Sequence, residues 1–555
     1  MDALVYLPLG GADEIGMNMY LYGYGEPGSR RWIMVDCGIG FPDAAFAPGV
    51  EIMTPDPAFI AERKDRLDGI FITHAHEDHI GAVGRLWDRL DAPVHCTAFP
   101  AEIARRKMEE AGASPKHVHA HAQGEPVTCG PFEVTFFPMT HSVPETSALI
   151  IRTPAGTVFH TADFKVDPDP IYGPPMDVEA MRKLGEEGVL ALACDSTNVF
   201  EPGRAGNESD LRKPLREVVA GCEGKIAATT FASNLARLKV LADAAQANER
   251  MVCIAGRAMR RMMEAGVRTG IVTDFPETVD EQRAREMPDE HVMYLVTGSQ
   301  GESRAAMARI AADNHPSVAL EAGDTALFSS STIPGNEPEV ARVYNQLAER
   351  GIRVVNDHLE EVHVSGHGNR DEMRDVYELL KPRIAIPMHG ERRHLLEHAR
   401  MAPEWGAGTA RVVPNGAMLQ IAPGEPEIVD HVETGRLYLD GNLLIGATDG
   451  VVRSRLKVAM NGHVAVSVVV DEDGGLVVES DVRVTGAPSD HAKFDGDIER
   501  MLAEAVDEAI ERLPRKEKRD DETVEEAARI AARRAASRVW GKKPETVVLL
   551  TRLED

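Results

Sequence analysis

The densest chemical signal in the chain is His74-Ala75-His76-Glu77-Asp78-His79, with three imidazoles and two carboxylates inside six residues. Neutral imidazole nitrogen and carboxylate oxygen are donors that zinc favours, and a loop at a strand end can aim several of them at one point. A two-metal site needs further donors at other strand ends. His141 stands in Met139-Thr140-His141-Ser142 and Asp163 in His160-Thr161-Ala162-Asp163-Phe164, each just past an apolar run. After Asp163 no histidine occurs until His291. The best remaining imidazole is His389, in Ile384-Ala385-Ile386-Pro387-Met388-His389-Gly390, which repeats the order of apolar strand then ligand. If His389 completes the site, a whole domain is inserted between Asp163 and it. Such a centre, with ions about 3.5–4 Å apart, clamps the oxygens of an in-line displacement and makes hydroxide available near neutral pH. Other histidines read differently. His160 is structural, His117, His119 and His121 alternate as on a polar strand face, and His394 and His398 are surface residues of a following helix.

The elements that must position these groups follow from the pattern. Strands are expected over 31–36, 69–73, 132–137, 148–152 and 157–160, separated by Pro and Gly turns, with a helix over 80–90 directly after the histidine cluster. From Leu211 the pattern becomes α/β, with apolar strands over 225–229, 251–254 and 291–296 between helical stretches. A third region begins near Arg453. It has paired strands over 463–470 and 475–484, helices over 495–513 and 521–540, and a strand over 545–550.

The 555 residues suggest three or four domains. Six scattered cysteines, with no CxxC pair, read as buried thiols in a reducing compartment. No signal peptide is visible, and no apolar run approaches the roughly 18 residues of a membrane span. A cytoplasmic protein away from membranes is expected. The net charge of −28, from 61 Lys and Arg against 89 Asp and Glu, argues by itself against a polyanionic ligand.

The His-x-His-x-Asp-His cluster with a later His and Asp resembles the metallo-β-lactamase superfamily, and the delayed last ligand resembles its β-CASP branch. Gly10 to Asn18, Cys194-Asp195-Ser196-Thr197-Asn198, Phe231-Ala232-Ser233-Asn234, Gly298-Ser299-Gln300-Gly301-Glu302 and His363-Val364-Ser365-Gly366-His367-Gly368 narrow the resemblance to the ribonuclease J family. The resemblance covers nearly the whole chain. It implies an α/β protein: a metallo-β-lactamase αββα sandwich over 1–205 and 351–455, an inserted β-CASP α/β domain over 206–350, and a small C-terminal α+β domain over 456–555 for oligomerisation or RNA contact.

It further implies two Zn2+ per subunit, one held by His74, His76 and His141, the other by Asp78, His79 and His389, with Asp163 bridging. Asp36 is a candidate for orienting a ligand histidine, with a turn cap as the alternative. Asp78, Asp195 and His367 are the candidate catalytic residues, and the sequence leaves open whether Asp195 or His367 donates a proton to the leaving group. Ser233, Asn234, His363, Val364, Ser365, Gly366 and His367 are expected to form a pocket for an RNA 5′ phosphate. The implied activity is hydrolysis of single-stranded RNA, 5′→3′ from monophosphate ends and also internally, in RNA maturation and decay. The implied partners are a second or further copies, as homodimer or homotetramer, and an RNA-decay complex. A DNA-acting nuclease of the same branch and a non-catalytic RNA-binding scaffold are the alternatives. A local basic channel would answer the acidic composition, with Arg257, Arg260 and Arg261, or Arg533, Arg534, Arg538, Lys542 and Lys543, as candidate lining.

Overall fold

A computed structural model describes residues 2–43, 45–488 and 497–553. The chain forms two compact units, one of residues 1–40 and 53–436 and the other of residues 41–52 and 437–555.

In the larger unit, among the described residues, an eight-stranded sheet runs in the order Glu427–His431, Ala417–Ala422, Ala3–Gly10, Met19–Gly25, Arg31–Val35, Leu67–Phe71, Val94–Cys96, Val118–Ala120. A seven-stranded sheet runs Thr409–Ala410, Ile384–Met388, Ala191–Asp195, Gly156–His160, Ser147–Thr153, Phe132–Pro138, Pro126–Cys129. Their inner faces share one core. Tyr6, Tyr22, Ile33, Val35 and Phe71 from the first pack with Val134, Phe136, Leu149, Ile151 and Ile386 from the second. Alternation along the strands makes this possible, because every second side chain turns inward. The outer face of the second sheet is covered by helices Val178–Glu187 and Arg370–Leu380, through Met181, Leu184, Met373, Val376 and Tyr377. Helix Ala98–Glu110 packs on strands Val94–Cys96 and Val118–Ala120 and on helix Val83–Leu90. The result is an αββα sandwich.

Between strands Ala191–Asp195 and Ile384–Met388, which pair in parallel, the chain leaves the sandwich. It builds a wholly parallel five-stranded sheet in the order Met251–Ala255, Val292–Val296, Ile226–Thr229, Thr325–Phe328, Arg353–Val355. Its core holds Cys253, Tyr294, Val296, Met307, Ile310, Phe328 and Leu347. Its inner strands are almost wholly apolar and buried, as parallel strands covered on both faces are, while the edge strand opens with the exposed Arg353.

The smaller unit has a three-stranded sheet, Asp481–Thr485, His463–Val470, Glu545–Arg552, antiparallel then parallel. Helices Ile498–Glu511 and Asp521–Trp540 fill one face with Leu502, Val506, Ile510, Val524, Ala528 and Ala532. Ala47 and Val50, distant in sequence, cluster with Val452 in this unit.

Two expected elements differ. The helix over 80–90 is split into Glu77–Ile80 and Val83–Leu90. A side chain at Gly81 would lie 2.4 Å from the Glu77 carbonyl oxygen and 2.6 Å from Ile39, and the Ala82 N–H turns away to the Cys37 carbonyl at 2.9 Å. The strand over 475–484 shortens to Asp481–Thr485, with Leu476 bridged to Val470 instead. The first residues of the 495–513 helix lie outside the described residues.

Candidate metal centre

The histidine cluster leaves the C-terminal end of strand Leu67–Phe71, and Asp36 leaves the end of its neighbour Arg31–Val35. His141 follows Phe132–Pro138, Asp163 follows Gly156–His160, Asp195 ends Ala191–Asp195 and His389 follows Ile384–Met388. Strand ends of both sheets thus converge on one place. Donor atoms of His74, His76, His141 and Asp163 lie within 4.8 Å of one another, as do those of Asp78, His79, Asp163 and His389. Asp163 belongs to both groups, and also to a third with Asp195, His367 and His389.

The hydrogen bonds decide which atom each histidine offers. His79 Nδ1 meets Asp36 Oδ2 at 2.7 Å, leaving Nε2 toward Asp163 Oδ2 at 3.1 Å. His74 Nδ1 faces the Thr73 hydroxyl at 3.0 Å, and its Nε2 is buried with no hydrogen-bond partner. His141 Nδ1 donates to the Gly366 carbonyl at 2.6 Å, leaving Nε2 3.1 Å from His76 Nδ1. His389 Nε2 is 3.2 Å from Asp78 Oδ2. Asp163 Oδ1 is likewise buried and unpartnered. A buried polar atom without a partner is costly. Two of them aimed into one nest of imidazoles and carboxylates fit a divalent cation.

The electrostatics agree. Burial and the neighbouring imidazoles push His74 and His141 well below the usual histidine range, and burial takes His76 down to about 4, so these rings are neutral and can donate lone pairs. Burial opposes ionisation of Asp163, but His389 and His79 draw it below the carboxylate range. Asp78 and Asp195 are drawn down in the same way by His79 and by His367. Against the effect of burial, Asp163 and Asp78 hold both His79 and His389 above the usual histidine range, which puts positive charge where a divalent cation would supply it.

Asp36 caps no helix. It is fully buried, accepts from the Thr73 N–H at 2.8 Å and the Thr73 hydroxyl at 2.9 Å, and holds His79. Asp36 and His389 both adopt left-handed backbone, with φ of 63° and 50°, at a cost of about 1–2 kcal/mol each. Asn18 is a supporting residue with no role assigned from sequence. Its amide donates to the Asp78 carbonyl at 3.0 Å and lies 2.9 Å from His79 Nε2.

His367 Nδ1 is 2.7 Å from Asp195 Oδ2, and its Nε2 is 3.9 Å from Asp163 Oδ2. The other Asp195 oxygen accepts from the Thr197 N–H and hydroxyl at 2.8 and 2.7 Å. Burial would lower His367, but Asp195 and Asp163 raise it above the usual range. Asn198, also unassigned by sequence, donates to Ser365 Oγ and to the His367 carbonyl, both at 2.9 Å. Gly366 lets the loop pass close to its neighbours, since a Cβ would lie 2.8 Å from Ser142 Oγ and 3.0 Å from His141.

Among the expected phosphate-pocket residues, Ser365 Oγ also accepts from the His367 N–H at 3.0 Å. Asn234 is buried, with Oδ1 capping helix Leu235–Gln246 and Nδ2 on Glu208 at 3.2 Å, so its side chain is engaged within the protein. His363 Nδ1 faces Arg237 at 3.2 Å, and burial and that guanidinium take it to about 4. His394 and His398, expected at the surface, are buried. They lie on the inward side of helix Arg392–Met401, where His398 binds the Ser196 and Tyr377 hydroxyls, both at 2.9 Å. His160 is structural, bonded to the Tyr22 hydroxyl at 3.0 Å. Of the candidate channel arginines, Arg260 pairs with Glu281 and Arg261 with Glu110.

Four family models match successive parts of the chain: the beta-lactamase superfamily domain at 31–178, the ribonuclease J beta-CASP domain at 223–347, the Zn-dependent metallo-hydrolase RNA specificity domain at 351–408, and the ribonuclease J C-terminal domain at 450–553. Ribonuclease J of Sinorhizobium meliloti is 42% identical over 100% of this chain and 98% of its own length. The chain belongs to the ribonuclease J family. Ribonuclease J of Mycolicibacterium smegmatis is 37% identical over 84% of this chain and 83% of its own length. That of Thermus thermophilus is 32% identical over 94% of this chain and 91% of its own. A crystal structure of a protein of unknown function from Enterococcus faecalis, 16% identical, matches with a TM-score of 0.50 over 77% of this chain and 100% of that one, which shows the fold alone.

Proposed function

We propose that this member of the ribonuclease J family is a zinc-dependent ribonuclease. It hydrolyses RNA phosphodiester bonds 5′→3′ from monophosphate ends and also cuts internally. The observation that carries the reading is the convergence of His74, His76, Asp78, His79, His141, Asp163 and His389, with His74 Nε2 and Asp163 Oδ1 buried and unpartnered. Two zinc ions are proposed, one with His74, His76 and His141, the other with Asp78, His79 and His389, and Asp163 between them. When bound, they supply positive charge to the phosphoryl oxygens and make hydroxide available near neutral pH.

The chain's own residues do the rest. Asp36 and Thr73 fix the rings of His79 and His74, so little reorganisation is needed at the moment of reaction. His367 is the proton donor to the leaving 3′ oxygen. Its side chain is 22% exposed, whereas Asp195 is 1% exposed with both oxygens engaged. Asp195 therefore orients His367 Nδ1–H and leaves Nε2 to deliver the proton. Ser365, Gly366 and the backbone around them would receive the terminal phosphate, and Ser233 would face it from the inserted domain. Departure of the 3′ oxygen leaves a 5′ monophosphate on the remaining strand, which renews the preferred end.

A time course on 5′-labelled RNA tests this, with metal analysis on the same preparation. Labelled mononucleotide should appear first, monophosphate ends should be faster than triphosphate ends, and matched DNA should be slow because it lacks the 2′ hydroxyl. Equal rates on both ends would remove the pocket, and an inactive, metal-loaded protein would leave a scaffold.

We also propose homodimers or homotetramers, RNA-decay partners and a cytoplasmic location. The cysteines are free and buried, and no described helix is long and apolar enough to cross a membrane. For assembly, the sheet face of the smaller unit opposite its helices exposes Val547 and Leu549, 48% and 61% accessible. Val547→Glu with Leu549→Lys should lower the mass seen by light scattering, and an unchanged mass would place the contact elsewhere.

A further inference from the structure

Two segments expected to form the phosphate pocket come from distant parts of the chain, yet both end on one buried ion pair. Arg237, on helix Leu235–Gln246, is fully buried. Its Nε and Nη2 donate to the two carboxylate oxygens of Glu208 at 2.8 and 3.1 Å. Its remaining donors reach outward. Nη1 meets the Ser329 carbonyl at 2.9 Å, the Val362 carbonyl at 3.4 Å and His363 Nδ1 at 3.2 Å. Nη2 also meets the Val364 carbonyl at 3.2 Å. Glu208 in turn accepts from Asn234 Nδ2 at 3.2 Å and has Lys165 Nζ at 3.9 Å. Asn234 closes the circle by accepting the Arg237 backbone N–H at 2.8 Å.

The loop over 356–369 has neither helix nor strand, so its buried carbonyls have no ladder to satisfy them. Its two halves hang on different supports. Residues 362–364 hang on Arg237, while Ser365 and His367 are held by Asn198 and Asp195. The planar five-donor fork of arginine suits a site that must bond a carboxylate and several carbonyls in fixed directions, which a lysine ammonium cannot span.

We propose that the buried Arg237–Glu208 pair is the positioning unit of the 5′-phosphate pocket, holding the Ser233-Asn234 turn and the 362–364 segment in register with each other. This rests on the reading of that pocket given above. Arg237 does not touch the substrate. It acts through His363, which it keeps as a neutral ring with its Nδ1 lone pair occupied, and through the backbone on both sides of the pocket. Substitution there should change recognition of the RNA end while sparing hydrolysis of a diester that has no such end.

The test uses the full chain loaded with zinc and two variants, Arg237→Lys and the double variant Arg237→Met with Glu208→Leu. The double variant protects against misfolding, because removing both partners leaves no lone buried charge. Each is assayed on a 5′-monophosphorylated oligoribonucleotide, on the same strand with a 5′ hydroxyl, and on bis(p-nitrophenyl) phosphate. The preference for monophosphate over hydroxyl, as a ratio of kcat/KM, should fall about tenfold or more, mostly through KM, while bis(p-nitrophenyl) phosphate turnover and zinc content stay within about twofold. A folded variant that keeps the parent's preference overturns the proposal. So does loss of all three activities in proportion to a lowered melting temperature, which is a purely structural effect. A parent with no preference between the two ends overturns the pocket itself, and that result is seen before any substitution is made.

Discussion

The loop over 72–79 and the loop over 356–369 meet at the same centre but are held in opposite ways. The first leaves strand Leu67–Phe71, which is paired on both sides, and enters helix Glu77–Ile80 within a few residues. Its hold is largely backbone, from the helix's own turn and from the N–H groups of Asn18, Cys37, Ile39 and Ser147, with the Asp36 and Asn18 side chains added beneath. The second has no regular structure, and side chains from elsewhere fix it: Arg237, Asn198 and Asp195. Proposed metal ligands tolerate little play, and these sit on a rigid strand end. Recognition of a substrate end can be assembled from a loop, at the cost of depending on distant supports.

The comparison breaks most severely at the first loop. His76→Ala should reduce RNA hydrolysis at least about a hundredfold, since it removes a group that would stabilise charge at the reacting centre. The far-ultraviolet spectrum should be unchanged and bound zinc reduced, because His76 sits on a loop against His141 and Ser142. Wild-type turnover by a metal-analysed sample would end the zinc assignment. In the second loop, His367→Gln should cost about 10²–10⁴ in kcat, the range of a general acid, while zinc stays bound. If zinc is lost instead, His367 is a ligand and the third donor group with Asp163, Asp195 and His389 is the one that matters. Asp36→Asn is milder. It keeps the shape but weakens the hold on His79 Nδ1, and should lower zinc affinity about 10–100-fold. Zinc affinity equal to that of the parent would mean that packing and the Asn18 amide orient the ring without the Asp36 charge.

What could be read from the sequence follows the same division. The cluster from His74 to His79 is local, and its strand-then-ligand order recurs at His141, Asp163 and His389, so these residues could be picked out before any fold was known. The strands follow from apolar runs and turns and the insertion from the distance between Asp163 and His389, whereas the αββα sandwich came only with the family resemblance. Arg237, Glu208, Asn198 and Asn18 could not be found this way. Arg237 and Glu208 are single polar residues in unremarkable stretches, and although Asn18 and Asn198 end stretches that carry the family resemblance, the role of all four appears only when segments far apart in number come together. The membership of 41–52 in the smaller unit is hidden for the same reason. His394 and His398 were misread because polarity in a helix usually means solvent, whereas buried hydroxyls on Ser196 and Tyr377 give His398 a satisfied interior place.

His398 offers the gentlest way to sharpen the contrast, because it supports the site from behind without touching it. It binds Ser196, next to Asp195, and Tyr377 on helix Arg370–Leu380. Burial takes its pKa from 6.5 down to about 4, with Asp195 pulling weakly the other way. The folded state therefore resists its protonation. Since the folded value is depressed, the associated stability is fully present above pH 6.5 and is lost as the pH falls toward 4. At about 1.4 kcal/mol for each tenfold change, the whole loss is on the order of 3 kcal/mol, of which about 2 is reached by pH 5. His398→Gln keeps a polar, neutral group in place and removes the titration. Urea midpoints of parent and variant should differ modestly at pH 7.5 and converge, or cross, by about pH 5, because only the parent carries this acid penalty. Parallel pH profiles would show that His398 titrates normally, and that its two hydroxyl partners hold the ring equally well when it is charged.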